Sequence, residues 1–178
     1  MESIAGERAS GDLDSLLRTA IHPAAIVFCK FLALLLGCLS LWLLAMAMHP
    51  LVFRFAFSPN LFVRFSGAGM CRSIAFLATV HALLCSLALF IGAAVSNSFR
   101  AAAVTAAAQL LYFFGPRLLH DFAASQPGSP LRNFILRLDV FSFLGEWSSA
   151  TVDSRPIVFH LSVCACFLCA TAAILHRP

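Results

Sequence analysis

Histidines are the side chains in this sequence best placed to do chemistry, and four of the six invite a ligand. His81 lies inside the long apolar run 68–95, with Cys85 one helical turn further on. An ionisable group in such a run is costly to insert and is a functional candidate by default. Its imidazole can ligate haem or relay protons; as a neutral ring it can equally bond a neighbouring helix. The sequence places no second histidine at its depth, which axial haem ligation would favour. His49, His120 with Asp121, and His160 fall near the ends of three other apolar runs, with Arg117 beside the second. Three imidazoles and a carboxylate at one membrane face form a donor set for a metal or a quinone-like head group. Interfacial histidines without a ligand are equally ordinary. His81, His49, His120 and His160 are therefore the cofactor-binding candidates, while no metal site or cofactor is expected beyond bound phospholipids.

Other chemistry is scarce. Six of the seven cysteines (Cys29, Cys38, Cys85, Cys164, Cys166, Cys169) fall in apolar runs, where cysteine behaves as a small hydrophobe. The segment CACFLC imitates a metal cluster, but a helix turns Cys164 and Cys166 away from each other. No glycine-rich nucleotide loop or Ser-His-Asp spacing occurs, and the acids are few and lie outside the apolar runs. The expectation is a protein that is not an enzyme.

The elements that carry these residues follow from composition. Of 178 residues 61% are hydrophobic and 11% charged, and mean hydropathy is +0.91. A small water-soluble domain cannot hide so much apolar surface, so the bilayer is the solvent for much of the chain. The net charge of +4 is spread out, with no basic-aromatic module for nucleic acid. The fold expected is an all-α integral membrane protein with four transmembrane helices and interfacial amphipathic helices. Spans of about 20 apolar residues cross a ~30 Å layer, which places them at about 24–48, 68–95, 99–119 and 157–175. Pro23 and Pro156 open two of them, His49-Pro50 ends the first, and Gly115-Pro116 bends the last turn of the third.

Residues 1–22 form a polar tail with four acids against Arg8 and Arg18, unlike a secretory signal or an acid-poor transit peptide. Leu13, Leu16, Leu17, Ala20 and Ile21 share one helical face, and Asp12 can cap that short helix. An even number of spans puts both termini on one face, called the tail face here. Arg8, Arg18, Arg100, Arg177 and Lys30 belong to it, Lys30 by reaching outward from the first span. Seven arginines mark the other face, which reads as cytosol or matrix.

Within the membrane domain, 23–178, two segments read as interfacial. In 50–66 a helix from Leu51 to Phe65 would reach only ~22 Å, and Arg54 and Arg64 would be costly at mid-depth. Phe53 and Phe57 then sit at the lipid boundary while both arginines meet phosphate. In 129–147, Ser129 and Pro130 open a helix with two apolar faces. One holds Leu131, Phe134, Ile135, Leu138 and Phe141; the other holds Leu136, Val140, Phe143, Leu144 and Trp147. Arg132 and Arg137 are expected at lipid, and Phe143 and Trp147 against another subunit, with the chain's own bundle as the alternative. Ala78, Ala82 and Ser86 form a small-residue stripe suited to close helix packing.

The stretch HPAAIVFCKF, His22–Phe31, resembles the start of the first helix in a family of Golgi four-helix trafficking proteins. That family's Trp/Asn-rich signature after its second helix is missing, so the resemblance covers one helix start. Contact surface in excess of chemistry points instead to an accessory subunit of an organellar membrane complex. The expectation is a mitochondrial inner-membrane respiratory-chain or ATP synthase assembly, with other membrane subunits and lipids as partners. The alternatives are a free-standing ER/Golgi tetraspan protein for trafficking or lipid handling, and a redox or lipid-modifying enzyme using the interfacial histidines.

Overall fold

A computed structural model describes residues 4–17, 21–56, 67–119 and 154–176, and the single positions 130, 135, 139, 140 and 143. The side chains of 46–56 and 67–70, and several in the first two helices, lie outside the description. Every element in it is helical: α1 (Ile4–Ser10), α2 (Asp12–Leu17), α3 (Pro23–Ala56), α4 (Gly67–Ala94), α5 (Ser98–Leu118) and α6 (Arg155–Leu175). Three of these contain stretches long and apolar enough to cross a membrane: Pro23–Ala45, Cys71–Ala94 and Arg155–Leu175. Among the described residues the protein is thus all-helical, with apolar helices of a membrane-embedded chain. Helix α5, the fourth expected span, has the length at 21 residues but is not among them. Arg100, Thr105, Gln109 and Arg117 interrupt it, and alanine supplies little apolar surface.

The helix boundaries follow local chemistry. Gly11, at φ 83°, separates α1 from α2 in the left-handed region that ends helices and suits glycine. The tail thus forms two short helices where one was expected. Asn97 caps α5 by accepting the Arg100 N–H at 3.1 Å. Pro156 stands in the first turn of α6, where a missing N–H costs nothing. Pro116 is tolerated in the last turn of α5, and the Leu119 N–H still reaches the Gly115 carbonyl at 3.0 Å.

One boundary departs from expectation. Helix α3 does not stop at His49-Pro50 but runs on to Ala56, taking in the first part of the segment expected to lie along the interface. An internal proline removes one backbone bond and crowds the carbonyl four residues back. In apolar surroundings, however, breaking the ladder would strand further polar groups. At 34 residues, α3 is ~51 Å long and outreaches a ~30 Å hydrocarbon layer.

Helix α4 is the hub, packed against α6, α3, α5 and α1. Half of its candidate span is buried, against 17% for the spans of α3 and α6. The expected small stripe sits in this packing: Ser86 and Ala82 are buried and Ala78 is half-buried. Ala82 shares a core cluster with Cys164 of α6, alongside Val27 and Phe31 of α3 and Ile4 of α1. The rings of His22 and His176 stack with centroids 6.3 Å apart, which brings the start of α3 beside the end of α6.

Candidate functional site

Polar chemistry in the bundle collects at two levels, and the end away from the termini holds the tighter group. Pro156 starts α6 so that His160 turns inward at 1% exposure. Its Nε2 lies 2.6 Å from the Tyr112 hydroxyl of α5. Phe76 of α4 meets the same imidazole edge-on at 5.7 Å, and Phe143 lies on the other side of Phe76 at 6.3 Å. Val80, Leu84, Val140 and Ile157 complete the cluster. The Nδ1 of His160 has no hydrogen-bond partner among the described residues. The pair can pass a proton between Tyr112 and His160, but Nε2 is taken and the ring is enclosed by aromatic carbon.

His81 is closed in a similar way. The Trp42 indole N–H of α3 donates to His81 Nε2 at 2.7 Å, which leaves Nδ1 to carry the proton. Nδ1 in turn lies 2.8 Å from the Leu77 carbonyl and donates to it. Both ring nitrogens are therefore engaged, one of them across two helices, and axial ligation would require breaking a bond already made. This geometry matches the neutral imidazole bonded to a neighbouring helix.

The other expected site residues divide by what the structure describes. His120, Asp121, Phe57, Arg64, Arg132, Arg137 and Trp147 lie outside the described residues, and of His49, Phe53 and Arg54 only the helical backbone is described. Phe143, read from the sequence as a contact for another subunit, packs on Phe76 of its own bundle. Val140 on the same face is buried, as is Ile135 on the opposite one. Phe143 itself is half-buried, so its ring meets Phe76 on one side and stays partly exposed. Cys164 is buried while Cys166 and Cys169 are exposed, so the thiols of CACFLC diverge. No group of three or more His, Cys, Asp or Glu able to hold a metal occurs among the described residues.

At the tail end the arrangement is open. Lys30 of α3 does not simply reach for water: its ammonium pairs with Glu7 of α1, each side chain only 16% exposed. Ile4, one turn earlier in α1, is 1% exposed in the core. Beneath them lies a cavity of about 370 Å³, walled by Lys30 and Leu34 of α3, by Ala88, Leu89 and Gly92 of α4, and by one face of α5. That face carries Ser98, Ala102, Thr105, Ala106 and Gln109. A mostly apolar hollow with a few polar groups and one cation is the usual form of a small-molecule site.

No protein-family model matches the chain, and no curated protein or solved structure matches it. Its functional residues are therefore those its own geometry assigns. Sequence reasoning missed Trp42, Tyr112 and Glu7, the partners of the three polar groups it had singled out within the spans. For Tyr112 a signal existed. It stands 14 residues from Ser98 at the start of α5, and His160 stands 15 from Leu175 at the end of α6. With those ends on one face, both lie about 21–22 Å deep at 1.5 Å per residue.

Proposed function

We propose that this chain is a four-span, non-catalytic subunit of a larger membrane assembly, with α5 as its fourth crossing. The observation that carries the reading is the outer face of α5. Ala103 and Ala107, one turn apart, are exposed together with Val104, Leu110, Leu111 and Phe114. Lipid tails give no hydrophobic push between helices, so close contact through small residues is what draws spans together. The equivalent stripe on α4 is occupied by the chain's own helices, whereas the alanines on this face of α5 have no occupant among the described residues. A helix of another subunit fits there, and it would also shield Arg100 on an otherwise weakly apolar span. The engaged imidazoles of His81 and His160 support a packing role over a redox one.

The assembly proposed is of the mitochondrial inner membrane, of respiratory-chain or ATP synthase type. Native electrophoresis of mild detergent extracts tests it. The tagged chain should co-migrate with a complex several times larger than its own 19.2 kDa, and A103L/A107L should release it. A small discrete particle recovered from Golgi or ER fractions would replace this reading with that of a free-standing endomembrane protein.

A further inference from the structure

We propose that the cavity bounded by α1, α3, α4 and α5 binds one single-chain fatty acid, with its carboxylate at Lys30 and its chain along the alanine face of α5. The inference does not depend on the subunit reading. It starts from shape. The lining face of α5 runs from Ser98 to Gln109, 11 residues on, a length of about 16 Å at 1.5 Å per residue. A volume of about 370 Å³ beside it lies at the lower end of the ~300–1,000 Å³ typical of small-ligand pockets, which suits a single-chain lipid rather than a two-chain one.

The wall supplies the matching chemistry. Alanine and glycine side chains leave a smooth apolar track, while Lys30 is the only charged residue among the described residues lining it. Its present counter-ion is informative: the carboxylate of Glu7, carried by the tail helix, occupies the place of a ligand's head group. The second oxygen of Glu7 is buried and has no hydrogen-bond partner among the described residues. A fatty acid that exchanges for Glu7 therefore breaks one ion pair and forms another. The cavity is open on one side, and Ala102 and Ala106 in its wall are exposed, so a ligand can enter without unfolding the bundle.

Photolabelling of the full chain in lipid nanodiscs tests this, with decanoate carrying a terminal diazirine as the probe. Label should map to 98–109 of α5 or to 30–34 of α3. Unlabelled decanoate should compete, whereas decanol, decyltrimethylammonium and a two-chain phosphatidate should not. K30M should weaken labelling about tenfold, the scale of one charge-assisted contact, and K30R should keep it. E7Q should strengthen it several-fold by removing the internal competitor. A106L should abolish it without changing helicity or melting temperature, which separates a filled site from a misfolded chain. Competition by decanol equal to that by decanoate, label spread evenly over the outward faces of α3 and α6, or A106L labelled like the natural sequence would each overturn the proposal.

Discussion

The two ends of this bundle use the same helices to opposite effect. Away from the termini, α4, α5 and α6 each contribute a ring, and Phe76, Tyr112 and His160 fill the space between them. At the tail end α4 and α5 contribute Ala88, Gly92, Ala102 and Ala106, and between α3 and α5 a cavity remains. Small side chains draw two helices together only if the axes are free to approach. Here α4 packs against four helices, and α3 and α5 both wall the cavity beside it. Helix α1 spans part of the gap from outside, with Ile4 buried in the core and Glu7 on Lys30. One end is thus fixed by side-chain volume, and the other is held by an ion pair over empty space.

The sharpest way to break that contrast is at Phe76, which is fully buried between His160 and Phe143. Phe76→Ala should cost about 4 kcal/mol, the scale of a large ring removed from a packed core. A chemical-denaturation midpoint in detergent reads it, and the Glu7–Lys30 end should stay intact until global unfolding. The next effect compares one insertion at two places. Ala82→Leu, in the filled contact of α4 with α6, should cost about 2 kcal/mol through overpacking. Ala102→Leu, beside the cavity, should cost less than about 0.5 kcal/mol, as at a position with room to accept it. Equal costs for the pair would mean that the two ends are packed alike. The smallest effect tests the polar bond inside the filled end. Tyr112→Phe keeps the ring but removes the hydroxyl from His160, a loss of about 1 kcal/mol. An imidazole resonance that shifts in NMR while the fold is kept would show the bond directly.

Much of this was legible along the chain. Pro23 and Pro156 marked the starts of α3 and α6, and the 68–95 run matched α4 to within a residue or two. The stripe Ala78–Ala82–Ser86 lay where helices meet. Helix α3 continues past His49-Pro50, which a proline signal weighed alone did not suggest, while its apolar stretch Pro23–Ala45 lies where the first span was expected. For Phe143 the sequence left open another subunit or the chain's own bundle, and no linear pattern reveals that Phe76 lies beside it. Lys30 was expected to reach for water, since an acid 23 residues earlier carries no sign that its short helix folds back.

By itself the sequence determined that the chain is helical, that it is too apolar for water, and roughly where each long helix begins. Those properties are sums over neighbouring residues, so they can be read without knowing what lies alongside. Which ring meets which imidazole, whether Lys30 finds a carboxylate, and where a hollow is left were decided only by tertiary structure. They depend on the order and rotation of helices about their axes. A rotation of one residue, 100°, changes every lateral neighbour while leaving hydropathy untouched.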